Sequence, residues 1–81
     1  MPWRVIALGD QVWHVDAVAE RRPNTAAWQL VLAFRAVSEP SRRQSFWTPY
    51  PLEATSKSSL FIQAERIPDA ALSQVLAERL A

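Results

Sequence analysis

The sequence has no cysteine and only one histidine, which excludes disulfide staples, thiolate metal sites and any His-rich metal centre. Its one glycine, Gly9, excludes glycine-rich phosphate cradles of the GxGxxG or GxxxxGK kind, and no cofactor is expected. An excess of either charge is also missing. Nine Lys and Arg against eight Asp and Glu leave a net charge of +1, well short of what many simultaneous phosphate contacts require. No apolar run exceeds a few residues, so no membrane partner is expected. Met1 to Leu8 lacks the basic start, long apolar middle and small-residue cleavage site of a signal peptide, and the expected location is the cytoplasm.

What is present fits one small domain over residues 1–81, because chains divide at roughly 100 to 200 residues per domain. A chain of this size buries roughly 60 to 65% of its unfolded surface, so its stability rests on one core. Eight of the nine cations are Arg and alanine is abundant, which reads as a GC-rich, bacterial coding bias.

The patterning divides the chain in two. From Trp3 to about Leu52 the period is two, with many β-branched and aromatic residues; from Ser56 onward it is 3.6, with Ala and Leu dominant. Trp3 to Leu8 reads as a strand, with Gly9-Asp10 as a two-residue hairpin turn and Val12 to Arg21 as the returning strand. Pro23-Asn24-Thr25 supplies the next turn and Ala27 to Val37 a third strand. Ser38 to Gln44 reads as a polar loop. Phe46 to Leu52 is expected as a short, irregular fourth strand held to an edge, because Pro49 and Pro51 cannot donate to a ladder. Thr55 and Ser56 are cap candidates for a helix carrying Leu60, Phe61, Ala64 and Ile67; Pro68 ends it, and Asp69 opens a second helix with the stripe Leu72, Val75, Leu76 and Leu80. The expected fold is α+β: a four-stranded antiparallel meander followed by two C-terminal helices packed on one sheet face.

Two hairpin registers, set independently, agree. Leu8 opposite Gln11 puts Ile6 against Trp13 and Arg4 against Val15, while Arg22 opposite Ala27 puts Ala19, Ala17 and Val15 against Leu30, Leu32 and Phe34. Together with Leu8 and Trp28 these residues form one apolar face for the helices to cover. The opposite face then carries Trp3, Val5, Val12, His14, Asp16, Val18, Glu20, Gln29, Val31, Arg35 and Val37, with His14 opposite Arg35 and Asp16 diagonal to it. A purely solvated face would alternate to Lys, Glu and Thr, whereas this one sets valines and a tryptophan around a charged centre, as an interface does.

Other clusters are weaker. His14 and Asp16 have the spacing at which a carboxylate orients an imidazole, but the register places no nucleophile or second acid beside them and a metal would lack ligands, so no catalytic residue is expected. Arg42 and Arg43 precede Phe46 and Trp47, and Arg21 and Arg22 add a second basic pair. Cations beside aromatics suit single-stranded nucleic acid, although a turn followed by a strand whose aromatics enter the core accounts for the same residues. In element order alone, four strands followed by a helix, the chain resembles the Whirly-type single-strand binders. Thr55 to Ser59, hydroxyls around Lys57, suit an anion or, more simply, a helix cap.

The favoured expectation is a non-enzymatic protein-interaction module or self-associating subunit that uses Trp3, Val5, Val12, His14, Asp16, Val18, Val31, Arg35 and Val37, with a protein partner or itself bound there. The alternatives are a single-stranded nucleic-acid binder using Arg21, Arg22, Arg42, Arg43 and Trp47, and an accessory domain of an enzyme assembled in trans.

Overall fold

A computed structural model describes residues 2–37 and 45–80. Its elements are β1 (Arg4–Leu8), β2 (Gln11–Arg21), β3 (Trp28–Ala36), β4 (Ser45–Ala54), α1 (Lys57–Ala64) and α2 (Asp69–Leu80). The sheet is an antiparallel meander in the order β1-β2-β3-β4, and the two helices follow it, as the patterning predicts.

Both hairpins take the expected registers. Leu8 pairs with Gln11, Ile6 with Trp13 and Arg4 with Val15; Val15, Ala17 and Ala19 pair with Phe34, Leu32 and Leu30. Gly9 has φ +60°, whereas Asp10 keeps a negative φ, the distribution of a type II′ turn, whose twist matches that of the flanking strands. Asn24 takes the one other positive φ among the described residues, at 61°, in the second turn; Thr25 Oγ1 braces that turn by donating to Arg22 O and accepting from Ala27 N.

The period-two pattern sorts side chains to two faces. Ile6, Trp13, Val15, Leu30, Leu32 and Phe34 are buried with Leu60, Ala64, Ile67, Leu72 and Leu76. Helix α1 lies over β2, β3 and β4, and α2 lies over β1. Ala17 and Ala19, small residues on the covered face, leave the room that α1 occupies. Trp13 is completely buried, edge-on to Phe46 at 6.0 Å, with its indole N–H unpaired.

Three features depart from expectation. Strand β4 holds the expected edge and is irregular, but it runs ten residues rather than a short Phe46 to Leu52. Antiparallel geometry supplies the reason. The bonds Arg22 N to Ala27 O and Val37 N to Val12 O show that β3 turns the main-chain groups of its odd residues toward β2, so its even residues face β4. Phe34 pairs with Phe46 and Leu32 with Thr48, which turns the nitrogen of Pro49 to the outer edge, where a missing N–H breaks no ladder bond. Pro51 falls in an irregularity: the pairing shifts by two residues between Gln29–Glu53 and Val31–Pro49, and Gln29 Nε2 donates to Tyr50 O inside it. Helix α1 ends at Ala64, before Ile67, although Ile67 is still buried. Phe61, expected among the helix residues that cover the sheet, is 37% exposed beside the exposed Ile62, because in an eight-residue helix the seam through Leu60 and Ala64 already faces the sheet; Leu80, in the last turn of α2, is exposed too.

The turn between the helices is tied to the sheet by Arg4. Pro68 has no N–H, and the carbonyls of Glu65 and Ile67 lie beyond the last turn of α1 with no helical donor. Arg4 Nη2 donates to Glu65 O at 2.9 Å, and Nη1 to Ile67 O at 2.7 Å and to Asp69 Oδ1 at 2.8 Å. The Trp3 ring lies 4.5 Å from the same guanidinium.

Candidate interaction face

The face that neither helix covers is built in cross-strand rows. At one end Ala7 and Val12 pair, and Val37 bonds to Val12, with Val5 beside them; Val5 is 54% exposed and Val37 36%. The next row is Val5, His14, Arg35 and Ser45. Asp16, Ala33 and Trp47 follow, then Val18, Val31 and Pro49, and finally Glu20, Gln29 and Glu53. A charged row thus separates two apolar fields.

His14 and Arg35 meet as expected, with Arg35 Nη2 3.4 Å from His14 Nδ1. Arginine has no acceptor, so in a hydrogen bond between them Nδ1 can only accept. Asp16 takes a different partner from the one the register offered. Its Oδ1 accepts the Trp3 N–H at 3.2 Å, which holds the start of β1 against β2. The three side chains share one face without forming a closed ion-pair cluster.

Trp47 is the largest difference on this face. It was expected either in the core or in a nucleic-acid site; it is 62% exposed and stands on the open face opposite Ala33, while its neighbour Phe46 points inward and stacks on Phe34 at 5.1 Å. Adjacent strand residues point to opposite faces, so the pair Phe46-Trp47 divides between core and open face. Val31 differs in the other sense. It is only 6% exposed, yet it lies outside the core cluster, flanked by Val18 and Pro49. Trp3, expected on this face, instead packs half-buried against the core cluster with its ring on Arg4, because β1 begins only at Arg4 and strand alternation does not reach it. Val12, His14 and Val18 are half-buried, and Asp16 and Arg35 are exposed.

Val31 forms the floor of a groove of about 420 Å³, lined also by Glu20, Arg21, Arg22, Gln29, Trp47 and Pro49. Arg22 forms an ion pair with Glu53 at its margin. The groove therefore combines an aromatic wall, an apolar floor and charges of both signs. Arg21, Arg22 and Trp47 of the nucleic-acid alternative share it, whereas Arg42 and Arg43 lie outside the described residues.

At the start of α1 the serines act as a cap. Ser56 Oγ accepts the Ser59 N–H at 3.2 Å, and Lys57 Nζ lies 4.7 Å from the Trp28 ring. Among the described residues no three His, Asp or Glu side chains gather as a metal would need, and no helix is long and apolar enough to cross a membrane. Comparison with protein-family models, with curated proteins and with solved structures finds no match.

Proposed function

We propose that this chain is a non-enzymatic interaction module of the cytoplasm that binds a protein, either a partner or a second copy, through the sheet face opposite its helices. The observation that carries the reading is Trp47, 62% exposed on a face that also leaves Val5 and Val37 open to water. Tryptophan is enriched among residues whose truncation costs about 2 kcal/mol or more at interfaces, and the groove beside it gives a partner side chain a place to enter. His14, Asp16 and Arg35 between the two apolar fields supply register and specificity more than affinity. Single-stranded nucleic acid is the alternative; Arg21, Arg22 and Trp47 on one groove favour it, while Glu20 in the groove and Glu53 paired to Arg22 oppose phosphate there.

The test is sedimentation at micromolar concentration, alone and with candidate partners, of the wild type against Trp47→Ala and Val5→Glu. Loss of association in variants with unchanged far-UV circular dichroism is the expected result. Partner binding indifferent to both changes, or salt-sensitive oligonucleotide binding that Trp47→Ala removes, would overturn it; a homodimer that survives both changes uses another surface and removes only the second-copy form of the reading.

A further inference from the structure

We infer that the outer edge of β2 over Asp16 to Arg21 is a self-pairing strand edge that joins two copies of this chain into one continuous eight-stranded sheet, each copy contributing its four strands. The inference goes beyond the open-face reading, because it uses main-chain groups at the sheet's border and leaves that face free.

The edge arises from unequal strand lengths. Strand β1 has five residues and pairs with β2 only from Gln11 to Val15, whereas β2 continues to Arg21. The chain bends at Trp3, whose N–H goes to the Asp16 side chain, and among the described residues no strand pairs with β2 on this side beyond Val15. Because the even residues of β2 turn their main-chain groups to β3, Ala17, Ala19 and Arg21 turn their N–H and C=O groups outward, and among the described residues none of them meets a partner there. The other border is built differently. In β4 the nitrogen of Pro49 points outward and removes a donor, a device that blunts an edge against pairing. Nothing comparable interrupts β2 before Pro23.

The identity of the occupant follows from symmetry and charge. A twofold axis perpendicular to the sheet keeps each residue's face, so an antiparallel self-pairing centres on Val18, Ala19 or Glu20. Centred on Val18, it sets Asp16 against Glu20 of the second copy. Centred on Glu20, it sets that carboxylate against its own copy and Ala17 against Pro23, which has no N–H. Centred on Ala19, it sets Asp16 against Arg22, twice over by symmetry, and Val18 against the aliphatic stem of Glu20. The same register lets Ala17, Ala19 and Arg21 each exchange both main-chain bonds. Asp16 and Arg22 are exposed, and each retains hydrogen-bonding capacity beyond its contact with Trp3 N or Glu53. A single register thus avoids like charges, pairs opposite ones and completes the ladder. The two open faces then lie on the same side of the joined sheet, which makes the assembly bivalent toward a partner.

A chain without cysteine allows a direct test. Val18→Cys and Glu20→Cys proteins are each purified, mixed in equal amounts and oxidised mildly. In the Ala19-centred register the unlike thiols face each other at Cα separations of about 4.5 Å, within disulfide reach, so the mixed disulfide should exceed both symmetric ones. Ala19→Cys, nearly isosteric and on the axis, should cross-link with itself. Wild type should sediment at twice the 9.2 kDa chain mass and should continue to do so with Trp47→Ala. Val18→Cys or Glu20→Cys alone forming the major symmetric product would overturn the register. No cross-link above that of a folded Ala7→Cys control would overturn the edge itself. A dimer lost with Trp47→Ala and lacking the mixed disulfide would support the open-face reading and refute this one.

Discussion

Replacing Arg4 with alanine should destabilise the domain more than removing any other exposed or half-exposed charge. Its guanidinium side chain is 21% exposed and makes three bonds across the α1–α2 turn, two of them to main-chain carbonyls that lack a helical donor. The third partner, Asp69, is 66% exposed, so that ion pair contributes at most about 1 kcal/mol. Hydrogen bonds to a charged group are worth about 1.5 to 3 kcal/mol each and do not add fully, which places the two carbonyl bonds together at about 2 to 4 kcal/mol. Lost packing of the aliphatic stem adds to this. For 81 residues the whole folding free energy is about 4 to 12 kcal/mol, so the variant loses a large part of it. Urea titration of wild type, Arg4→Ala, Arg4→Lys and Asp69→Asn reads the difference as a fall in midpoint at unchanged slope. Asp69→Asn should change little, and less still in high salt. Arg4→Lys should fall between, since an ammonium lacks the planar fork that reaches both carbonyls. An Arg4→Ala loss no greater than that of Asp69→Asn would show that the carbonyl clamp adds nothing to the ion pair.

Two further changes test the sheet. Leu32→Ala, at a fully buried position on β3, should lose about 2 to 5 kcal/mol in urea titration, and a silent change would place Leu32 outside the core. Gly9→Ala meets no atom within 4 Å of the added Cβ, so its loss of about 1 to 3 kcal/mol should come from the φ of +60° alone, and a thermal melt unchanged by the substitution would refute a conformational origin.

Much of the fold was legible because two hairpins fixed their registers separately and agreed on one apolar face. A slip of one residue in either would have turned Trp13 or Leu32 to water, so agreement between them was a strong constraint. The helices were legible from Ser56, Pro68 and Asp69 at their ends, though the exposure of Phe61 was not. Leu60, Phe61 and Ala64 compete for a seam that the eight-residue helix α1 fills with Leu60 and Ala64, and periodicity alone does not rank them.

The fourth strand is where local chemistry gave the least help, and it carries the face's principal aromatic. Proline argues against a central strand, but its effect depends on which way the missing N–H points, and that direction is set by pairing with β3 rather than by the proline itself. Once Phe34 pairs with Phe46, alternation sends Phe46, Thr48 and Tyr50 inward and Trp47, Pro49 and Pro51 outward. The two-residue shift near Gln29 preserves that parity through Glu53, so Arg22 at the end of β2 meets Glu53 and the groove closes around Val31. One pairing contact therefore decides both the burial of Val31 and the exposure of Trp47. The same geometry makes the sheet's borders unlike: β4 turns a proline nitrogen outward, which removes a donor from that edge, while on the far side β1 is the border as far as Arg4 and beyond it β2 turns the intact main chain of Ala17, Ala19 and Arg21 outward, the asymmetry on which the proposed self-pairing rests.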